Sequence, residues 1–482
     1  MATAEVALRL DTEDFLTPES DDALRAILDA LESHDATATF PLVARKLDTW
    51  RQRPGGGELV ARLSRHTVGY HSATHSLHPT IAEEAAGQTW LGAQAAFAAR
   101  ELAGFRQVRD AFGPPACYTQ PGGNWTASAL PVLRRWGVPC EYSEDWNSYI
   151  DCGATPVHYA GLLHWSAPVA APKPLLSALP AALEPALAQV RAALAAQTGG
   201  SAPVNVVAHP TELCTTAFWD AVNFGRGRMP PETAWRPAPT RPPEEVAAAA
   251  AAFDRYIQRL RQDGVRFVTI RDVVARHPDR TTGLHLDAAE VEALAPQLCD
   301  AAVPLQRGDT ALSAAEALNL LCRRLIAGQT GPFQVAPCDG PDGPPPPTPD
   351  GTVGRPAITA AAADLERFVQ ERGRLPAAVT VGRTPVGPED LLGTVARAVA
   401  DPRATEIPWR PCPLLAAECV KSPDRLHWDW AVFPANFRPL GLWETARLQT
   451  WTLRPALAAT ARHSGAWRRW LPAGAAGPSG IR

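Results

Sequence analysis

The chain contains 482 residues, 20% of them charged, with a formal net charge of -4 at pH 7, and this length predicts two or more domains. The sequence has no basic stripe for a nucleic-acid partner and no apolar run of the roughly 18 residues that span a membrane. Its nine cysteines include no CxxC pair and no secretory signal precedes them, so we expect a cytoplasmic protein without a disulfide framework.

Short apolar runs alternate with longer amphipathic runs from residue 5 to about residue 274, as in repeated strand-helix units. Helices are predicted at residues 20–31, 81–111 and 246–262. Strands are predicted at residues 5–10, 36–41, 67–71, 116–120, 138–143, 204–208 and 266–270. This alternation predicts an α/β fold with parallel strands. Periodicity alone does not distinguish an open doubly wound sheet from a closed barrel.

Polar residues follow several of these predicted strands. They are Asp11, Glu13 and Asp14 after the first strand, His71 and His75 after the third, Pro121-Gly122-Gly123 after the fourth and His209 after the sixth. Active sites of parallel α/β proteins are assembled at the carboxyl ends of the strands. The sequence therefore predicts one site built from these residues.

The strand-helix alternation stops beyond Pro278, so we place a domain boundary near residue 280. Residues 281–482 are predicted to form a mainly helical accessory domain, with helices at 312–325, 358–371 and 388–400. A Pro/Gly-rich stretch at residues 337–356 predicts a loop. Residues 375–381 and a turn at Gly382-Arg383 predict a hairpin between two of the helices.

His71 and His75 stand four residues apart, a spacing that on a helical turn brings two imidazoles to one side. The cluster Asp11-Thr12-Glu13-Asp14 holds three carboxylates that repel one another unless a cation or solvent relieves them. Either feature alone has a structural explanation. Together they predict a site for a divalent metal ion.

The region from residue 5 to 274 resembles the polysaccharide deacetylase family, the NodB-homology carbohydrate esterases. Leu10-Asp11-Thr12-Glu13-Asp14 resembles the aspartate-rich first motif, and His71-Ser72-Ala73-Thr74-His75 matches the second motif in full. Thr119-Gln120-Pro121-Gly122-Gly123 meets the third motif in part, and Val207-Ala208-His209 resembles the last motif. The motifs occur in the family's order.

The resemblance implies a distorted (β/α) barrel with fewer than eight strands and one divalent ion, usually zinc and sometimes another, bound by an aspartate and two histidines. His71 and His75 are then metal ligands. The carboxylate ligand is Glu13 if the first strand continues past Asp11, because alternate side chains share a face, and Asp14 if a turn begins there.

Asp11 matches the family's general base, and His209 matches the general acid that protonates the departing amine. The backbone N–H near Gly122 is the position that holds the oxyanion, with Gln120 beside it on the substrate side. The family's arginine, which orients the catalytic aspartate, falls on Thr119. Arg9 or Gln120 could take its place.

The leading functional hypothesis is a metal-dependent hydrolase that removes an N-acetyl group from a sugar or glycan. A second hypothesis keeps the metal site and changes the substrate to another non-peptide carbon-nitrogen bond. A third is a catalytically silent carbohydrate-binding protein. Residues 375–381 with the following helix faintly resemble pseudomurein-binding repeats, and the tryptophans of this part either stack on sugar rings or fill a helical core.

Overall fold

The computed structural model describes residues 4–153, 155–197, 202–326, 330–458 and 465–471. The strands before residue 280 are β1 (Glu5–Leu10), β2 (Thr39–Leu42), β3 (Thr67–Tyr70), β4 (Cys140–Glu144), β5 (Val157–Tyr159), β6 (Leu162–Ala167), β7 (Val204–Ala208) and β8 (Arg266–Val268). The helices are α1 (Glu19–Ser33), α2 (Ala44–Gln52), α3 (Gly56–Leu63), α4 (Ile81–Ala85), α5 (Trp90–Phe112), α6 (Ala129–Arg135), α7 (Leu175–Ala196), α8 (Thr211–Cys214), α9 (Trp219–Phe224), α10 (Pro243–Gln262) and α11 (Ile270–Arg276).

A parallel sheet with the strand order β3-β2-β1-β7 forms the centre of this part of the chain. Strand β1 pairs with β7 from Val6 to Leu10. On its other edge, β1 pairs with β8 from Glu5 to Ala7 and with β2 at Arg9. All these pairings are parallel, as the alternation of strands and helices predicts. The predicted α/β class is confirmed.

The expected barrel is not confirmed, because the extended ladders of the described residues leave the sheet open. A second group of strands, β5, β6 and β4, pairs in the order β5-β6-β4, and single-residue bridges connect it to the first group. One bridge residue, Tyr118, pairs with Tyr70 on one side and Glu141 on the other, and Val169 pairs with Asn205.

The predicted strand at residues 116–120 is reduced to the bridge at Tyr118. Its backbone N–H donates to the Cys140 carbonyl at 2.8 Å and its carbonyl accepts from Tyr142 at 2.9 Å. Pro115 precedes this segment and Pro121 follows it. Toward β3, the Ala116 and Thr119 N–H groups donate to the Val68 and Tyr70 carbonyls, both at 3.0 Å, so this segment still lies between β3 and β4.

Helices cover the sheet with the apolar faces that the sequence predicts. The α1 residues Leu24, Ile27, Leu28 and Leu31 are fully buried, and α10 packs against α1 and α7. The predicted helix at 81–111 is two helices, α4 and α5. The chain breaks at Gly87, which has a φ of 76°, and Thr89 caps the start of α5.

The chain after residue 280 contains six helices and short strand pairs within its described residues, so a mainly helical domain is not shown. The helices are α12 (Ala288–Glu292), α13 (Ala295–Leu298), α14 (Ala314–Leu325), α15 (Arg355–Arg372), α16 (Pro388–Ala400) and α17 (Leu440–Gln449). The strands are β9 (His285–Leu286), β10 (Leu305–Arg307), β11 (Thr310–Leu312), β12 (Phe333–Gln334), β13 (Thr352–Gly354), β14 (Val379–Val381), β15 (Thr384–Val386), β16 (Glu406–Pro408), β17 (Arg454–Pro455) and β18 (Arg468–Arg469).

Within this part, α14 packs against α15 and α16, and β14 and β15 form the predicted hairpin around Gly382, whose φ is 65°. Strand β17 pairs antiparallel with β5 of the first part. One hydrophobic cluster also contains side chains from both parts, among them Leu24 and Leu318. The boundary near residue 280 stays a prediction. Among the described helices, none is both long and apolar enough to cross a membrane.

Candidate active site

The polar residues predicted from the strand ends lie around one pocket. Asp11 and Glu13 follow β1, His71 follows β3, and His209 follows β7. These parallel strands end at the same edge of the sheet, so the residues after them converge. Asp11, Glu13, His71, His75, Gln120, Gly122 and His209 all line a pocket of about 260 Å³.

His71 and His75 come together in a tight turn, and the helical turn that their spacing suggests is absent from this described segment. Ser72 has a φ of 73° and His75 a φ of 57°, left-handed conformations that cost about 1–3 kcal/mol each for residues with a side chain. The Ser72 hydroxyl accepts the His75 N–H at 2.9 Å. The two imidazole rings lie with their centroids 5.1 Å apart.

Glu13 is the carboxylate beside the histidine pair. The chain stays extended past Asp11, because Thr12 forms a parallel bridge with Leu42. Asp11 and Glu13 therefore face the same side. The Glu13 Oε2 atom lies 2.9 Å from the Nε2 atoms of both His71 and His75, and Trp219 Nε1 donates to Glu13 Oε1 at 2.9 Å.

Asp14, the alternative ligand, does not reach the histidines. Its Oδ1 accepts the N–H groups of Leu16 and Thr17, both at 2.9 Å, and its Oδ2 accepts the Thr211 hydroxyl at 2.7 Å. These bonds hold the turn that leads into α1. Both carboxylate oxygens of Asp14 therefore accept hydrogen bonds from these backbone and hydroxyl donors and not from the histidines.

The hydrogen bonds of His71 and His75 define which ring nitrogens carry protons. His71 Nδ1 lies 2.9 Å from the Thr119 carbonyl oxygen, which can only accept, so Nδ1 donates. His75 Nδ1 contacts the Ser76 hydroxyl, whose own proton goes to Asp220 at 3.1 Å, so this Nδ1 also donates. In the neutral rings both Nε2 lone pairs then point at a carboxylate oxygen.

The acceptor atoms of Glu13, His71 and His75 thus lie within 4.8 Å of one another, and all three residues are buried. A proton relieves this repulsion in part. When the histidines also carry a proton on Nε2, they donate it to Glu13. Burial by itself would raise the pKa of Glu13, but the charge on His75 together with these hydrogen bonds then holds it well below its usual value. A divalent cation relieves the repulsion fully, and two imidazoles with one carboxylate are a set that zinc takes. The residues fit the predicted metal.

Arg9 holds Asp11 in place, which answers the question left by the missing motif arginine. The Arg9 Nη2 atom donates to Asp11 Oδ2 at 2.8 Å and to Glu144 Oε1 at 2.5 Å. Arg9 is 2% exposed, and although burial alone would lower its pKa, the two carboxylates raise it. The buried Asp11 Oδ1 has no hydrogen-bond partner within the described structure. Asp11 is thus fixed through one oxygen, while the other has no hydrogen-bond partner among the described residues.

His209 lies beside Asp11 and Glu13, and one possible ligand atom of each of these three residues lies within 4.8 Å of the other two. Its Nδ1 contacts Glu212 Oε1 at 2.8 Å, and its Nε2 lies 3.8 Å from Asp11 Oδ2. Burial would lower the pKa of His209, but the hydrogen bond to Glu212 and the charges of Glu13 and Asp11 raise it to about 10. His209 therefore carries a proton near neutral pH that it can donate.

Gly122 and Gln120 lie on the same wall of the pocket, in a loop fixed by side-chain amides. The Gly122 carbonyl accepts Asn147 Nδ2 at 2.7 Å and Gln120 Nε2 at 3.2 Å, and Gln120 Nε2 also donates to the Asn147 carbonyl at 3.0 Å. Gly122 has a φ of 46°. The backbone here is held rigidly enough to present an N–H to a ligand.

Several pocket residues escaped prediction from the sequence. Glu144 lies at the end of β4, Asp220 in α9 eleven residues after His209, and Trp430 far along the chain. Glu144 at a parallel strand end carried a positional signal that could have identified it. Asp220 and Trp430 reach the pocket by tertiary contacts, and no periodicity marks them.

No family model and no curated protein matches this chain. Among solved structures, the chain is similar to a CE4 family pseudoenzyme from Bacillus anthracis at 13% identity, with 57% of this chain and 66% of that chain covered and a TM-score of 0.32. A Streptococcus mutans CE4 esterase matches at 15% identity over 56% of this chain and 86% of its own, with a TM-score of 0.33. A family 4 carbohydrate esterase from Streptomyces lividans in complex with acetate matches at 15% identity, covering 55% and 91%, with a TM-score of 0.28. At these identities and TM-scores the likeness assigns neither family nor activity, and the geometry of the site has to carry the functional argument.

Proposed function

We propose that this protein is a metal-dependent hydrolase that removes the acetyl group from an N-acetylated sugar. The observation that carries the proposal is the convergence of Glu13, His71 and His75 on one point, with Asp11 and His209 next to each other in the same pocket. An acceptor triad beside a base and an acid is the set of groups that amide hydrolysis needs.

A divalent ion held by Glu13, His71 and His75 would supply positive charge that polarises the acyl carbonyl and acidifies the attacking water. The remaining chemistry belongs to the chain itself. The open Oδ1 of Asp11 accepts the proton of water as it adds to the carbonyl carbon. Arg9 keeps that carboxylate aimed at the pocket through its other oxygen, at 2.8 Å.

The second half of the reaction breaks the carbon-nitrogen bond. The His209 imidazolium donates its proton to the nitrogen as that bond breaks, so that a neutral amine leaves and a carboxylic acid remains. Without this proton the intermediate would expel water instead. The N–H of Gly122 is the donor we assign to the oxyanion, since this loop lines the pocket beside Asp11.

Aromatic side chains support a sugar as the substrate. Trp146, Phe218 and Trp430 line the pocket around the polar residues, and the faces of such rings stack on the C–H surfaces of sugars. The acetyl group would point toward the metal triad while the ring rests between these walls. The second hydrolase hypothesis uses the same site with a substrate that contains another non-peptide carbon-nitrogen bond. A comparison of substrates distinguishes the two hypotheses.

The test is metal analysis together with acetate release from a panel of N-acetylated sugars, with a cyclic ureide as the comparison substrate. We expect about one divalent ion per chain and acetate from an N-acetylated sugar. Release of product from the ureide alone would favour the second hydrolase hypothesis. A metal-loaded protein that releases no acetate from any N-acylated compound would contradict the proposal and favour a carbohydrate-binding role.

A further inference from the structure

The wall of the pocket opposite the strand ends comes from the distant segment 427–431. His427, Trp430 and Ala431 of this segment line the pocket. Trp430 lies edge-to-face on His75, with ring centroids 5.8 Å apart. A segment more than two hundred residues beyond His209 therefore contacts one of the groups that we assign to the metal.

The segment is fixed on the rest of the chain. The Ala431 carbonyl accepts the Arg226 N–H and the Val432 carbonyl accepts the Gly227 N–H, both at 2.9 Å. Val432 is fully buried in a cluster with Phe15 and Trp219. Two backbone hydrogen bonds and a buried anchor next to Trp430 hold the indole in position.

Gly122 and Gly123 make room for this close approach. A Cβ atom on Gly122 would overlap the Trp430 indole ring, and a Cβ atom on Gly123 would lie 2.5 Å from the His427 carbonyl oxygen. Any larger residue at these positions would force the segment outward. The two glycines and the segment thus form one wall of the pocket.

Trp430 also borders a second cavity on its outer side. This outer groove, of about 330 Å³, is lined by Trp428, Phe433, Phe437 and Arg226 as well as Trp430. Among the described residues, Trp430 is the one that lines both the pocket and the outer groove. The indole ring is therefore the partition between them.

We infer that Trp430 is a specificity-determining residue that ends the substrate pocket after one sugar ring. The pocket of about 260 Å³ lies just below the roughly 300–1,000 Å³ of sites for drug-sized ligands, a volume that suits one sugar ring, and Trp430 bounds the pocket on the side of the outer groove. The substrate class is then a single terminal N-acetylated sugar, free or at the end of a chain. This inference rests on the proposed deacetylase function.

The experiment compares acetate release from N-acetylglucosamine and from its end-labelled linear hexamer, with the position of each free amine read by mass spectrometry. The wild type should release at most one acetate per hexamer, from a terminal unit. Trp430→Ala joins the pocket to the outer groove, so it should release several acetates, including interior ones. Its kcat/KM for the monosaccharide should fall by roughly tenfold because one stacking face is lost.

Two further variants are the controls. Phe437→Ala removes a ring that lines the outer groove alone, so its product pattern should equal that of the wild type. Trp430→Phe keeps an aromatic partition and should retain the one-acetate pattern. Metal content and melting temperature show whether each variant is folded with its site intact.

Interior deacetylation by the wild type, or a one-acetate pattern in folded, metal-loaded Trp430→Ala, overturns this inference and leaves the deacetylase proposal standing. A metal-loaded wild type that releases acetate from no N-acylated compound of the panel overturns the deacetylase proposal, and this inference with it.

Discussion

Asp11 and Glu13 are chemically similar carboxylates, and their partners give them different roles. Glu13 faces two imidazole nitrogens at 2.9 Å, and we propose it as a metal ligand. Asp11 accepts an arginine on one oxygen and leaves the other without a partner, and we propose it as the base. The alternation of side chains along an extended strand end puts both in the same pocket, two residues apart.

The matched pair Glu13→Gln and Asp14→Asn tests which carboxylate binds the metal. Glu13→Gln removes the negative charge between the histidines, so we expect metal content to fall well below one ion per chain. Asp14→Asn should keep the metal, because that side chain bonds to Leu16, Thr17 and Thr211. Metal analysis of both purified variants gives the answer. Loss of metal in the Asp14 variant alone would reverse the assignment.

Asp11→Asn separates catalysis from metal binding. The amide is close to the carboxylate in size but cannot accept a proton from water, so kcat should fall by roughly two to four orders of magnitude. Metal content should stay at the wild-type level when Glu13, His71 and His75 hold the ion, whereas loss of the metal would point to the second group that can hold one, Asp11, Glu13 and His209. Acetate release at saturating substrate is the measurement. Unchanged kcat in a metal-loaded variant would mean that another group is the base.

At the scale of elements, the site lies at the ends of parallel strands, and a strand late in the chain extends the second group of strands at β5. Strand β17 pairs with β5 and carries Arg454, which is 5% exposed. Arg454 Nη2 contacts Asp279 Oδ1 at 2.9 Å and its Nε lies 3.6 Å from Glu316 Oε2. This arginine joins β17 to a loop of the first part and to α14.

Replacing Arg454 with methionine should lower the free energy of unfolding by about 1.5–3 kcal/mol, the usual worth of hydrogen bonds to charged groups. The methionine fills the space but leaves two carboxylates without their cation. Urea unfolding measures the change.

Arg425→Met is the control for Arg454→Met. Arg425 is 63% exposed and pairs with Asp151 at 2.7 Å, so its removal should cost about 0–1 kcal/mol. Equal losses in the two variants would show that Arg454 is no more important to stability than an exposed ion pair.

At the scale of the whole molecule, the pocket and the core both use residues from the two predicted parts. Trp430 lines the pocket with His71, and the largest hydrophobic cluster includes Leu24 of α1 and Leu392 of α16. His158 on β5 lies where the parts meet, 6% exposed, close to Arg454, Asp279 and His277.

His158 should make stability depend on pH. Burial, and then the charge of Arg454, lowers the pKa of His158 to about 3, while the unfolded chain has the ordinary value near 6.5. Below pH 6.5, His158 binds a proton in the unfolded state but not in the folded state. The free energy of unfolding should therefore fall by about 1 kcal/mol between pH 7.5 and pH 5.5 from this residue.

The measurement is urea unfolding at both pH values for the wild type and for His158→Gln, which cannot titrate. The variant should lose less stability on acidification by about that amount. An identical pH dependence in the two proteins would contradict the lowered pKa. The comparison isolates His158 because the other histidines are the same in both.

Local sequence was sufficient for several elements. The apolar face of α1, the bounds of α16 and the hairpin turn at Gly382 follow from periodicity and turn chemistry, which act over a few neighbouring residues. Strand-end position also indicated that Asp11, Glu13, His71 and His209 share a pocket, because parallel strands end at one edge. The split of residues 81–111 into two helices follows from Gly87, a local signal that the longer apolar pattern obscured.

Tertiary structure alone decided the rest, because the deciding contacts join residues far apart in the chain. The bridge from Thr12 to Leu42 makes Glu13, and not Asp14, the neighbour of the histidines. A tight turn at residues 71–75 replaces the expected helical turn, because Ser72 and His75 adopt left-handed backbone conformations. Arg9 donates hydrogen bonds to both Asp11 and Glu144, and Glu144 comes from β4, far along the chain. Trp430 reaches the pocket across more than two hundred residues of sequence. Local propensity carries no information about such approaches, which depend on how the whole chain packs.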